Sequence, residues 1–373
     1  MKLAILKETS AGEARVATTP ESVTKLSALG HSMTIETQAG MAAGFTDDAY
    51  KDAGAEIAAS RDAALKGADL LLKVRGPSAD EISALPDGLA VIGLMDPFNL
   101  DAAALNAKKL TSLSMEFTPR ITRAQSMDAL SSQSNLAGYR AVIEGATIYG
   151  RAMPMMMTAA GTVAPAKVFI MGAGVAGLQA IATARRLGAV VTATDVRPAA
   201  KEQVASLGAK FIAVEDEEFK AAETAGGYAK QMSAEYQAKQ AELTASHIAK
   251  QDIVVTTALI PGRPAPVLVT EDMVSTMRPG SVVVDMAVSA GGNCPLSKPD
   301  EIVDAAGVKV AGFTNLPAHL PADASALYAK NLVAFLPLIT AEDGSLNLET
   351  DDEIVTAMIL TRGGETVNER LTS

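Results

Sequence analysis

At 373 residues, 48% of them apolar, the chain is too long for one ordinary core and reads as two α/β domains of conventional size. One cysteine, Cys294, and three scattered histidines, His31, His247 and His319, exclude an intramolecular disulfide and match no zinc or haem spacing, so a reducing setting without a structural metal is expected. A formal charge of −11 argues against nucleic acid as a partner, which would need clustered lysine and arginine to replace released counterions, and against adhesion to anionic lipid.

Met1 opens directly onto the apolar stretch Leu3–Leu6, which leaves no room for a basic and then hydrophobic leader, so secretion is not expected. Short β-branched runs then alternate with Ala-rich helical stretches, the pattern of βαβ units and a mostly parallel sheet. The first series predicts strands at Leu3–Glu8, Met33–Thr37, Leu70–Val74, Ala90–Leu94 and Ser112–Phe117, with helices at Pro20–Leu29 and Asp62–Lys66. Ser126–Arg151 is rich in Ala, Leu, Ser and Gln without proline and reads as one long helix joining the domains beside a cleft. Arg151–Lys167 has the Pro, Met and Gly pattern of an exposed hairpin, which either offers apolar contact area or packs at the base of its own domain.

The second series predicts strands at Lys167–Met171, Val190–Thr194, Lys210–Val214, Asp252–Thr257, Ser281–Met286 and Val308–Phe313. Val168–Ala184 is the longest uncharged run, but its 17 residues hold three glycines at turn spacing and fall short of the roughly 20 that cross a bilayer, so no direct membrane insertion is expected. Glu217–Gln251 puts 35 residues where a crossover of about a dozen would serve. Within it, Ala225-Gly226-Gly227-Tyr228 reads either as a flexible tip carrying an aromatic or as part of a merely long helix. Asp323–Phe335 is helical, returning the chain to the first domain, and Ile354–Leu360 with Arg362-Gly363-Gly364 reads as a strand and a turn. The expected fold is α/β, with two Rossmann-like doubly wound parallel-sheet domains separated by a cleft and joined by long helices. One domain is residues 1–125 plus 322–373, the link is 126–150, and the second Rossmann-like domain is 151–321.

The strongest chemical signal is Gly172-Ala173-Gly174-Val175-Ala176-Gly177. A lone G-x-G-x-x-G is weak, but this one follows the strand Lys167–Met171, opens the helix Leu178–Leu187 and precedes a second strand ending at Asp195. Gly172 permits a tight turn, Gly174 lets the backbone approach a pyrophosphate, and Gly177 lets the helix pack closely on the strand. Amide groups at the helix N-terminus then face the phosphate charge. Asp195 would accept hydrogen bonds from the adenosine ribose and repel a 2′-phosphate, favouring NAD(H) over NADP(H), although Arg197 two positions later weakens the inference.

A second polar constellation, Arg120 to Ser131, sits where the first sheet hands over to the long helix. Asp128 and Ser131 are three apart and can share a helix face, while Arg120 and Gln125 precede it on a loop. The cluster reads either as a holder for a carboxamide and a ribose or as an N-capped helix start behind a solvated loop.

Pro119–Arg140, Met155–Gly161, Gly172–Ala184, Glu223–Lys230, Thr256–Pro266 and Ala290–Leu296 together resemble the NAD(H)-binding component of proton-translocating nicotinamide nucleotide transhydrogenase, and the resemblance runs from Met1 to about Phe335. It implies that Arg120, Gln125, Asp128 and Ser131 hold the nicotinamide end of the cofactor, and that Asp195, with Val196 and Arg197, holds the adenosine ribose. Val175 and Ala176 in the glycine turn, and Thr257, Ala258 and Leu259 after the fourth strand, join the cofactor contacts. Tyr228 would ride on a mobile loop closing over the nucleotide. The family further implies a homodimer docked on an NADP(H)-binding beta subunit and on a membrane-spanning second portion of the alpha subunit. A separate polypeptide of this kind is then expected in the cytoplasm, peripheral on the inner face of the membrane through its partners.

Hydride passing between two nicotinamides needs positioning rather than a general base or an oxyanion hole, which suits a site of Arg, Gln, Asp and Ser. Alanine dehydrogenase is the rival enzyme, similar around Ala14–Pro20 and at a lysine like Lys73. Its catalytic histidine is expected in the loop after Ala90–Leu94, where this chain has Met95-Asp96-Pro97, and its aspartate where this chain has Ser289. A non-catalytic NAD-sensing module would keep Gly172, Gly174, Gly177 and Asp195 and stays open.

Overall fold

In a computed structural model, residues 1–220 and 232–372 are described. The chain divides into two compact units, Met1–Gln133 with Pro317–Ser373, and Ser134–Leu316, the division falling within the helix Ala129–Tyr149. Both are Rossmann-like α/β units built on largely parallel sheets.

In the first unit the strands β1 (Lys2–Ile5), β2 (Ser32–Glu36), β3 (Glu56–Ala58), β4 (Leu70–Arg75), β5 (Ala90–Leu94) and β6 (Thr111–Ser114) pair in parallel. The strands β16 (Ile359–Arg362) and β17 (Glu365–Thr366) extend the sheet antiparallel beyond β6, giving the order β17-β16-β6-β5-β4-β1-β2-β3. Both faces are covered, and β4 is buried from Leu70 to Val74 and apolar there except for Lys73. Leu70, Leu72 and Val74 face a core shared with Val23, Leu26, Tyr328 and Leu332 of the helices Pro20–Ala28 and Pro321–Phe335. Leu71 faces the other way, against Leu65, Ile82 and Leu105.

In the second unit a hairpin of β7 (Met156–Thr158) and β8 (Gly161–Val163) precedes the strands β9 (Lys167–Met171), β10 (Val190–Thr194), β11 (Lys210–Phe211), β12 (Ile253–Thr256), β13 (Val282–Asp285), β14 (Glu301–Ala305) and β15 (Val308–Gly312). Their order is β11-β10-β9-β12-β13-β15-β14, parallel except for β14. Gly138 lets the helix Ala129–Tyr149 lie directly on the Ala176 backbone, because a Cβ there would overlap the Ala176 carbonyl. Among the described residues no helix is long and apolar enough to cross a membrane.

Several elements differ from the sequence expectation. The first strand ends at Ile5, and Ser112–Phe117 is strand only to Ser114 before a 3-10 turn at Met115–Phe117. Lys210–Val214 pairs only over Lys210–Phe211. The long helix begins at Ala129, after a 3-10 stretch at Thr122–Met127, and stops at Gly150, whose φ is +64°. Ile354–Leu360 is a helix, Glu353–Met358, running into β16, because the Asp352 carboxylate accepts from Ile354 N–H (2.9 Å) and caps a helix start. The turn at Gly363-Gly364 is present, both residues at positive φ. The long connection after β11 ends in the helix Ala234–Ile248, while Tyr228 and the predicted lid lie outside the described residues.

Candidate functional site

The glycine turn leaves β9 at Met171. Gly172 has φ +106°, and a Cβ there would run into the Thr257 hydroxyl. A Cβ on Gly177 would overlap the Gly172 carbonyl oxygen, so the helix Val175–Arg186 packs on the turn as only glycine allows. Gly174 has open space where a side chain would project. It is also the helix N-cap and makes no side-chain cap, so the N–H groups of Val175, Ala176 and Gly177 begin the helix with no intrahelical acceptor. A cradle emptied of side chains and lined by unpaired N–H groups fits a dinucleotide pyrophosphate.

Asp195 follows β10 and is tied into the same turn. Its Oδ2 accepts from Ala173 N–H at 2.7 Å and from Arg197 Nη2 at 2.9 Å, and its Oδ1 accepts from Arg197 N–H at 2.8 Å and Nε at 2.9 Å. Burial pushes the Asp195 carboxyl up, but the Arg197 guanidinium and the two N–H donors outweigh it and hold the group below the usual aspartate range. A ribose hydroxyl would therefore share these oxygens with Arg197 or displace it. Val196 stands 66% exposed beside the pair.

Thr257 is a strut as much as a candidate contact, since its hydroxyl donates towards the Met171 and Gly172 carbonyls at 3.3 Å. Leu259 is exposed, whereas Ala258 is held by a residue the sequence reading passed over. Fully buried Asn293 donates from Nδ2 to the carbonyls of Ala258 (2.9 Å) and Pro266 (2.7 Å), and its Oδ1 accepts from Ala258 N–H (3.1 Å). Asp285, also buried, fixes the loop that follows it and carries Asn293 by accepting from Ala287 N–H, Cys294 N–H and the Ser297 hydroxyl. The available signals were an aspartate closing an apolar strand and an asparagine between glycines and a proline.

The second constellation lies in the first unit. Gln125 is in the 3-10 stretch Thr122–Met127 rather than a loop, with Ala124 and Met127 buried beneath it. Arg120 and Gln125 are exposed, and no hydrogen bond or ion pair engages either side chain among the described residues. Asp128 does not lie on the helix face with Ser131. It stands just before the helix and caps it, Oδ1 accepting from Ser131 N–H at 2.9 Å and Oδ2 from the Ser131 hydroxyl.

At the position of the dehydrogenase-type histidine, the N–H groups of Met95 and Asp96 both donate to the Glu116 carboxylate, at 3.0 and 2.8 Å. Lys73, similar to the lysine of that family, is buried against Glu8 (3.2 Å) and Glu81 (3.1 Å). Burial raises the Glu8 carboxyl despite Lys73.

Known proteins agree with this architecture along its whole length. Residues 4–137 match the alanine dehydrogenase/PNT N-terminal domain and residues 141–369 the alanine dehydrogenase/PNT C-terminal domain. The first portion of NAD(P) transhydrogenase subunit alpha of Rhodospirillum rubrum is 54% identical over 100% of this chain and 99% of its own. The crystal structure of transhydrogenase from Sinorhizobium meliloti is 55% identical, with a TM-score of 0.90 over 98% of this chain and 100% of that one. Alanine dehydrogenase 1 of Staphylococcus aureus is more distant, 29% identical over 100% of this chain and 96% of its own. The chain therefore belongs to the alanine dehydrogenase/PNT family, on the side of the NAD(P) transhydrogenase alpha subunits and at a distance from the alanine dehydrogenases.

Proposed function

We propose that this chain is the NAD(H)-binding component of a proton-translocating NAD(P)+ transhydrogenase. The observation that carries the reading is the lock between Asp195 and the glycine turn, in a chain more than half identical over its full length to the first portion of a transhydrogenase alpha subunit. In this reading the N–H groups of Val175, Ala176 and Gly177 bind the pyrophosphate, and Asp195, Val196 and Arg197 hold the adenosine ribose. Thr257, Ala258 and Leu259 support the cofactor from the neighbouring loop, and Tyr228 closes over it. Arg120, Gln125, Asp128 and Ser131 orient the nicotinamide end, whose C4 supplies or accepts the hydride.

The hydride partner is NADP(H) held on a beta subunit, and a membrane-spanning second portion of the alpha subunit completes the assembly that moves the proton. The chain itself works as a homodimer at the cytoplasmic face, the exposed hairpin with Met155, Met156 and Met157 supplying apolar contact area. Nothing in the chemistry requires a base, so the task of these residues is orientation, which can account for a large part of a rate enhancement.

The test mixes the purified chain with an NADP(H)-binding partner component and follows hydride exchange between NADH and NADP+. Exchange no faster than with the partner alone would leave an NAD-sensing module as the better reading. Alanine-dependent reduction of NAD+ by the chain alone would favour the dehydrogenase instead. That outcome is not expected, because the loop after β5 offers Met95 and Asp96, with their N–H groups tied to Glu116, where the proton-transferring imidazole would be needed.

A further inference from the structure

The 3-10 stretch Thr122–Met127 is six residues long, beyond the roughly three or four that 3-10 geometry usually sustains unaided, and the nearby outward side chains of Arg120 and Gln125 are tied to nothing among the described residues. It is anchored from two sides, through the Ser126 carbonyl and the Arg123 side chain, by residues of the C-terminal region of the chain. On the inner side, Asn331 sits in the helix Pro321–Phe335, 7% exposed, where an asparagine is costly unless its amide is paired. It is paired at both ends. Nδ2 donates to the Ser126 carbonyl at 2.8 Å, and Oδ1 accepts from the Ser132 hydroxyl at 2.8 Å, so one amide joins the residue after Gln125 to the first turn of the helix Ala129–Tyr149.

On the outer side, Arg123 presents a fork to Asp352, Nη1 to Oδ2 at 2.6 Å and Nη2 to Oδ1 at 3.0 Å. Asp352 is itself fixed, because the same carboxylate caps the helix Glu353–Met358. Gln125 thus lies between an anchor two residues before it and another one residue after it. Neither anchor engages Arg120 or Gln125, which leaves both side chains free to meet a ligand.

We propose that Asn331 and the Asp352–Arg123 fork are positioning residues, which set the backbone that presents Gln125 and so make the C-terminal segment a working piece of the hydride-transfer apparatus. The inference rests on the assignment of Gln125 to the nicotinamide end. It treats the polar C-terminal segment as a brace rather than as a sheet extension alone. An anchor of this kind is felt in orientation, where a misplacement of about 1 Å can cost on the order of a hundred-fold in rate, and only weakly in overall cofactor affinity.

The experiment uses the intact chain with its NADP(H)-binding partner component and the variants Asp352→Asn, Arg123→Lys and Asn331→Asp. Asp352→Asn keeps both the shape and the helix cap while removing the charge, so it spares the fold. Arg123→Lys keeps the charge and loses the fork. Asn331→Asp removes the donor to Ser126 and keeps the acceptor for Ser132. The expected result is a fall in kcat of roughly ten-fold, with the Kd for NADH within about two-fold of the parent. Faster amide exchange confined to the residues around Arg120–Met127 should accompany it.

Equal loss of kcat and of NADH affinity, in step with a lower unfolding midpoint, would reduce the anchors to general stability and overturn the proposal. Unchanged amide exchange across that stretch in both Asp352→Asn and Asn331→Asp would overturn it directly. A parent chain that binds NADH but exchanges no hydride would instead overturn the functional reading, an outcome the amide exchange keeps separate.

Discussion

Arg197 closes a two-pronged fork on Asp195, Nε to Oδ1 at 2.9 Å and Nη2 to Oδ2 at 2.9 Å, so the acidic residue expected to read the ribose already carries its own counter-charge. The pairing bears on cofactor choice in both directions. A carboxylate repels a 2′-phosphate, while the guanidinium beside it attracts one. NADH should still bind more tightly than NADPH, because Asp195 is fixed by Ala173 N–H and cannot leave, whereas Arg197 is a half-exposed side chain that can turn away. Asp195→Asn should narrow the preference chiefly by strengthening NADPH binding. Arg197→Ala should widen it by unmasking the charge, whatever it does to NADH affinity itself. Fluorescence titration of both nucleotides against the three proteins gives the ratios, and equal affinities in the parent would sink the assignment of Asp195.

The glycines of the turn should respond differently to the same added methyl group. Gly177→Ala drives a Cβ into the Gly172 carbonyl, a backbone atom that cannot move aside cheaply, so a loss of stability of about 3 kcal/mol or more is expected. Gly174→Ala meets nothing within the protein and sits at φ −76°, ψ −167°, extended backbone that alanine accepts. It should fold with an unchanged midpoint and yet bind NADH at least ten-fold more weakly, since the methyl would occupy the space left for the pyrophosphate. Denaturant midpoints and NADH titration on the two variants separate the roles. A Gly174→Ala protein that binds normally would mean the cradle is not where the phosphates lie.

The contrast between these glycines and the two asparagines explains how far the sequence could be read. Leu70–Val74 and Ser281–Met286 were legible as strands because a parallel strand buried on both faces is mostly apolar, a property each run carries apart from Lys73, Ser281 and Asp285. The Gly172–Gly177 turn was legible for a similar reason, as at Gly172 and Gly177 the local geometry excludes a side chain. Ile354–Leu360 was misread because an apolar run of that length serves helix and strand equally, and the deciding feature, Asp352 as a cap, lies just outside it. The glycines and proline around Asn293 mark only a turn, and Asn331 carries no local mark. Each matters for the peptide group that folds against it, at Ala258 and Ser126, and those partners are set only by the tertiary structure.

The depressed carboxyl of Asp195 has a consequence for acid stability. A group whose native pKa lies below its ordinary value of 3.8 stabilises the fold fully at higher pH, and that contribution is lost as the pH falls through the native value. At neutral pH, Asp195→Asn should cost on the order of 2 kcal/mol, the worth of hydrogen bonds to a charged group. The gap between parent and variant should then close as the pH is lowered beneath the ordinary aspartate value, because the parent loses what the variant never had. Urea midpoints of the two proteins across that range test the point. A gap that stays constant down to the acid limit would show that Asp195 acts through shape and not through its charge.

Gln125 offers the sharpest separation of orientation from affinity. Its side chain is exposed and unpaired among the described residues, on a 3-10 stretch whose neighbours Ala124 and Met127 are buried, so Gln125→Asn shortens the reach by one methylene without disturbing the packing beneath. If the side chain aligns the nicotinamide, the shorter amide still offers a donor and an acceptor but places them wrongly. Hydride exchange with the NADP(H)-binding partner should fall by roughly ten- to a hundred-fold, while the Kd for NADH moves by no more than about two-fold. Arg120→Ala, which removes a charge as well as a contact, should lower the exchange rate and raise the Kd. Rapid-mixing measurement of the hydride step beside equilibrium titration resolves the two effects. Parallel losses in Gln125→Asn would make this residue an ordinary binding contact, and hydride exchange at the parent rate would remove it from the site altogether.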